Sequence, residues 1–144
     1  GTERGRLRAY KEFVMRPEMM ITSKSETFKF DNRIPRKDYM RILDMTRYSI
    51  TIADDNYNDN YFITPRVFEN YMHDIINFTE MPFDKDEHLV SMNDWTRVHD
   101  FKEMMEKIGY LKADESEYIR LLKLQRSKIT PEITDGSYVY NLLR

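Results

Sequence analysis

Two of the three histidines in the chain are followed by aspartate, in the pairs His73-Asp74 and His99-Asp100. Both pairs lie in segments whose apolar spacing predicts helices. Imidazole and carboxylate groups are ligands that suit a divalent transition metal, and a metal held by them can activate water to hydrolyse a phosphate ester. The alternative is that these pairs arise by chance in an aspartate-rich chain, with His73 flanking an apolar core.

A helical histidine, a His-Asp pair and a later aspartate resemble the metal-ligand pattern of HD-type phosphohydrolases. This resemblance implies a ligand set of His73, His99, Asp100 and Asp135. We rank it third among our interpretations and predict no metal, no cofactor and no catalytic residue. The chain has no cysteine, no nucleophile motif and only four glycines, too few for the usual phosphate-binding loops. These absences favour a non-catalytic protein, and we leave open whether the chain is an enzyme.

Charge is distributed unevenly along the chain. Residues 1–48 carry a balance of +5, residues 49–100 a balance of −8 and residues 101–144 a balance of +1. Ordinary solvated faces would explain this pattern, and so would a basic region that meets a phosphate backbone or an acidic partner. The candidate contact residues of that region are Arg4, Arg6, Arg8, Lys11, Arg33, Arg36, Lys37, Arg41 and Arg47.

The segment 107–112, which follows a predicted amphipathic helix, resembles the point in winged-helix domains where the recognition helix turns into the wing. This resemblance implies nucleic-acid binding. Carboxylates such as Asp94, Asp100 and Glu103 lie on the would-be recognition helix and would oppose contact with phosphate. The basic segments 4–16 and 33–47 are therefore the better candidates for a nucleic-acid surface.

Periodicity and turn signals predict a fold of the α+β class, mainly helical, with about five helices and a small antiparallel sheet. We expect one compact domain over residues 1–144, with residues 1–2 left from cloning. The predicted helices cover residues 3–15, 36–47, 65–79, 93–108 (ended by Gly109) and 115–127. The predicted strands cover residues 27–30, 48–52, 61–63 (pairing back as a hairpin) and 138–140. A hairpin over residues 110–122 is the alternative to the last helix.

Ten methionines and ten tyrosines favour an adaptable interaction surface, because methionine repacks easily and tyrosine is enriched at interfaces. Met104 and Met105 cannot both face one core, so we expect at least one of them at the surface. The leading prediction is a non-catalytic interaction or regulatory module that docks on a protein partner inside a cell, of viral or phage origin. The alternative is a nucleic-acid-binding accessory protein. We expect no membrane span and leave the oligomeric state open.

Overall fold

The computed structural model describes residues 12–13, 16, 24–25, 30–31, 35–52, 65–81 and 94–130. Within these ranges it has four α-helices, against about five predicted, and it is α+β overall with more helix than strand. In chain order the elements are β1 (Lys24–Ser25), β2 (Phe30–Asp31), α1 (Arg36–Met45), β3 (Tyr48–Thr51), α2 (Pro65–Met72), β4 (Ile76–Glu80), β5 (Arg97–Val98), α3 (Phe101–Ala113) and α4 (Glu115–Arg126).

The three-stranded sheet is parallel, so the predicted antiparallel sheet is wrong. The strand order is β3-β4-β5, with Tyr48 opposite Ile76 and Thr79 opposite Arg97. The connection from β3 to β4 contains α2, and parallel neighbours need such a crossover because a tight hairpin cannot join them. Among the described strands, only β1 and β2, two residues each, form an antiparallel pair.

The predicted helix over residues 65–79 is wrong in its second half. Helix α2 ends at Met72, Asp74 takes a φ of 55°, and every residue of β4 is buried. A short polar side chain such as aspartate tolerates this left-handed conformation, which turns the chain from helix to strand. Ile75 and Ile76 lie three and four residues after Met72, so in sequence the apolar stripe of α2 continues into the buried strand.

The predicted helix over residues 93–108 is wrong at both ends. Its first part holds a short 3-10 turn and strand β5, and α3 begins only after Asp100, which caps it by accepting a 2.8 Å hydrogen bond from the Glu103 N–H. Helix α3 then continues through Gly109 to Ala113. The segment that resembles the start of a wing is therefore continuous helix, and the alternative hairpin over residues 110–122 is also wrong.

Three predicted elements are confirmed with small changes of boundary: the helix over 36–47 as α1, the strand over 48–52 as β3 and the helix over 115–127 as α4. Helix α4 begins as expected, since Asp114 accepts hydrogen bonds from the N–H groups of Ser116 and Glu117. The predicted helix over 3–15 and strand over 27–30 lie outside the described residues except at 12–13 and 30. The predicted strands over 61–63 and 138–140 lie wholly outside them.

The main core lies between one face of the sheet and the helices α3 and α4. Alternate residues of β3 and β4 point to this face, and Phe13 packs into it from the N-terminal region. The core residues that are buried are Phe13, Ile76, Phe78, Val98, Met104, Ile108, Leu111, Tyr118 and Leu121. The apolar side chains of α3 and α4 thus bury themselves against the sheet, which is the main source of stability for helices of this length.

A buried polar network joins β4 to its neighbours. The Asn77 backbone faces the side of β4 that the two-residue β5 does not reach, and the Gln125 side chain takes the place of a strand there. Its Oε1 accepts from the Asn77 N–H and its Nε2 donates to the Asn77 carbonyl, both at 3.2 Å. Thr51 Oγ1 and Asn70 Nδ2 donate to Asn77 Oδ1 at 2.8 and 2.6 Å.

Replacement of Gly109 by alanine distinguishes the observed helix from the predicted one. Gly109 lies inside α3, and a Cβ at this position would meet no atom within 4 Å. We expect Gly109→Ala to raise the free energy of unfolding by about 0.5–1 kcal/mol, because alanine loses less conformational entropy in a helix. Urea denaturation measures this change. A loss of stability would instead indicate the left-handed helix end that the sequence predicted.

Candidate functional site

The described members of the predicted metal set have other partners. His73 Nδ1 lies 3.2 Å from Asp44 Oδ1, and His99 Nδ1 lies 2.9 Å from Glu103 Oε2. Asp100 is occupied as the cap of α3. Over the described ranges, no three His, Asp or Glu side chains come together as a metal site would require. Asp135 lies outside the described residues.

His99 belongs to a charged cluster that holds the start of α3. The Glu103 carboxylate accepts hydrogen bonds from the His99 N–H at 2.8 Å, and its other oxygen lies 2.7 Å from Lys107 Nζ. Burial alone would raise the pKa of Glu103, but the His99 N–H, the Lys107 ammonium group and the His99 ring together lower it to about 2. Lys107 also donates to the Arg97 carbonyl at 2.9 Å, which ties α3 to β5.

The structure brings together three of the nine predicted basic contact residues. Arg36, Lys37 and Arg41 are exposed on α1, and at 100° per residue they span an arc of roughly 140°. Arg47 is engaged elsewhere: its Nη2 lies 3.1 Å from Glu115 Oε2, and its guanidinium lies 4.1 Å from the centre of the Tyr118 ring. The remaining predicted contacts lie outside the described residues, namely Arg4, Arg6, Arg8, Lys11 and Arg33.

A groove of about 370 Å³ separates β3 from α3. The strand side is formed by Arg47 and the first three residues of β3, and the helix side by residues of α3 spaced three or four apart. The lining residues are Arg47, Tyr48, Ser49, Ile50, Met104, Met105, Ile108 and Lys112. Four of the described residues that line it are apolar, namely Ile50, Met104, Met105 and Ile108, and the two charged ones are both basic. A site of this kind favours a ligand that combines apolar groups with negative charge.

Most of these groove residues were not among the predicted site residues. The sequence signal for this surface was the adjacent pair Met104 and Met105, because at least one of two neighbouring methionines was expected to lie at the surface. Met104 is buried and Met105 is partly buried, and both line the groove while also packing against the core. The sequence could not indicate the groove itself, because the groove exists only where α3 lies beside β3.

Comparison of the chain with protein-family models, with curated proteins and with solved structures found no match. None of the helices in the described part of the chain has the length and apolar character that crossing a membrane requires. The geometry of the groove and of α1 therefore carries the functional argument.

Acid titration tests the role of the Glu103 cluster. Because the folded-state pKa of Glu103 is about 2 and its ordinary value is 4.5, its contribution is full above pH 4.5 and is lost as the pH falls towards 2. We expect Glu103→Gln to lower the free energy of unfolding at pH 7 by about 1–2 kcal/mol and to flatten its slope between these pH values.

Urea denaturation at a series of pH values measures both effects. Glu106→Gln is the matched control, because Glu106 lies on the same helix and its ion-pair partner among the described residues, Lys102, is 3.9 Å away with both side chains exposed. Equal effects of the two substitutions would contradict the role assigned to Glu103.

Proposed function

We propose that the chain is a non-catalytic protein-interaction module that docks a partner polypeptide in the groove between β3 and α3. The observation that carries this proposal is the apolar lining of the groove, formed by Ile50, Met104, Met105 and Ile108 between a strand and a helix. None of the described residues that line the groove has a carboxylate or an imidazole to act as a general base. It therefore supports binding better than catalysis.

Exposed apolar side chains elsewhere on the described surface also support an interaction role. They are Met45, Met72, Met81, Tyr110 and Ile119. Four of the five are methionine or tyrosine, the residue types that adapt to partner surfaces. An intracellular location and a viral or phage origin remain predictions.

Substitutions in the groove test this proposal. We expect Met105→Glu and Lys112→Glu each to abolish capture of a specific set of proteins from a lysate of the source cells. The first places a charge in the apolar lining, and the second reverses the charge of a basic lining residue. Mass spectrometry of affinity-purified complexes, with wild-type and variant chains side by side, measures the loss.

Lys123→Glu is the matched control for a reversed surface charge, because Lys123 is exposed and is not among the residues that line the groove. Thermal melting checks that each variant is folded, and Lys112→Glu keeps the test valid if Met105→Glu destabilises the core. Proteins retained equally by wild type and both groove variants would contradict docking in the groove.

Nucleic-acid binding is the second candidate, and a contrast among the basic residues favours it. Within the described ranges, Arg36, Lys37 and Arg41 are exposed and have no ion pair, so their charges remain available to phosphates. Most other described cations lie within 4.0 Å of a carboxylate, namely Arg16, Arg47, Arg66, Lys102, Lys107, Arg120 and Arg126.

Fluorescence anisotropy with labelled single- and double-stranded DNA and RNA over a salt series tests this second candidate. We expect the logarithm of the affinity to fall linearly with the logarithm of the salt concentration. The triple substitution Arg36→Glu, Lys37→Glu and Arg41→Glu should lower the affinity and reduce the steepness of this line by about 2–3. The charge-matched control is Lys112→Glu, Lys123→Glu and Lys128→Glu. Equal losses would mean that net charge alone acts, and no binding at low salt would eliminate this function.

A further inference from the structure

On the outer edge of β3, the side away from β4, the strand directs backbone N–H and carbonyl groups out of the sheet. The Ile76 N–H donates to the Arg47 carbonyl at 2.9 Å, which fixes the phase of the parallel ladder. In such a ladder alternate residues direct both backbone groups to the same neighbour, so Ser49 and Thr51 face β4 while Tyr48 and Ile50 face away from it. Among the described strands, β4 alone pairs with β3.

The groove runs along this same edge, so an extended chain placed there would meet both the strand and the helix. Residues of a strand alternate in direction with a rise of roughly 3.3 Å, and every second side chain of the incoming chain would point towards α3. Met104, Met105 and Ile108 offer an apolar surface to those side chains. This combination of strand edge and apolar pocket is a general mode of peptide recognition.

The charges of the groove indicate which peptides fit. Arg47 and Lys112 both line it, and none of the described lining residues is acidic. Arg47 is already paired with Glu115, whereas Lys112 is exposed and has no ion pair within the described ranges. A carboxylate in the bound chain therefore finds its best partner at Lys112.

We infer that the groove binds an extended, acidic segment of a partner protein, which adds a strand to the outer edge of β3 and places a carboxylate beside Lys112. Alternate apolar residues of that segment pack on the methionines of α3. This inference rests on the proposed docking function and specifies the conformation and charge of the partner segment.

Selection from a displayed library of random dodecapeptides provides the probe. We expect the selected peptides to alternate apolar with other residues and to contain Asp or Glu. A selected peptide, synthesised with a fluorescent label, is then titrated against wild type and variants. Lys112→Gln should weaken its binding about threefold to tenfold, while Lys123→Gln, an exposed lysine outside the groove, should leave it unchanged.

Comparison of Ile50→Pro with Ile50→Ala separates the contribution of the Ile50 backbone N–H to peptide binding from that of its side chain. Both shorten the side chain, but only proline removes the outward N–H, and proline is tolerated on a strand edge that faces away from the ladder. We expect Ile50→Pro to weaken binding about tenfold more than Ile50→Ala. If Ile50→Pro does not fold, a series of peptides with one N-methylated backbone amide each gives the same test. We expect loss of binding when the methyl group lies at every second position, because alternate residues of a strand donate to the same neighbour.

The outcomes distinguish the inference from the function on which it rests. Strand addition would be overturned if the selected peptides had helical spacing or tolerated N-methylation at every position. Docking in the groove would still stand if Met105→Glu abolished the binding of those peptides. A library that gives no peptide sensitive to Met105→Glu would overturn both.

Discussion

The central strand β4 needs hydrogen-bond partners on both sides, and one side of it is only partly covered by another strand. Burial leaves no water to satisfy the Asn77 backbone, so its N–H and carbonyl require a substitute for the missing strand. Gln125 supplies both a donor and an acceptor and thereby fixes the end of α4 against the sheet. The Asp114 cap joins α4 closely to α3. The position of α3, and hence the groove beside β3, follows from this pairing.

Local signals in the sequence were sufficient where they were strong. Helix α4 has its cap at Asp114, α1 has an apolar stripe, and β3 alternates between polar and apolar residues, and all three were predicted. Strand β4 was missed because Ile75 and Ile76 continue the apolar spacing of α2, and the parallel pairing was missed with it. That pairing joins residues 28 positions apart, Tyr48 and Ile76 among them, which no short window of sequence can show.

The candidate site was harder to predict than the fold for the same reason. Arg47 was expected to contact a partner, yet its ion pair with Glu115 joins residues 68 positions apart. His99 and Asp100 resemble metal ligands in sequence, but at the start of α3 His99 is hydrogen-bonded to Glu103 and Asp100 caps the helix. Residue type indicates which chemistry a side chain can perform, whereas its neighbours in the fold determine whether that chemistry is available.

A strand edge that no other described strand covers also affects how copies of the chain behave towards one another. Such an edge can pair with the same edge of a second copy, which is a common route to aggregation. Here a second copy would bring its own Lys112 to an edge already flanked by the same lysine. Repulsion between like charges disfavours that encounter. Lys112 can therefore keep the protein from associating with itself at the surface it offers to others.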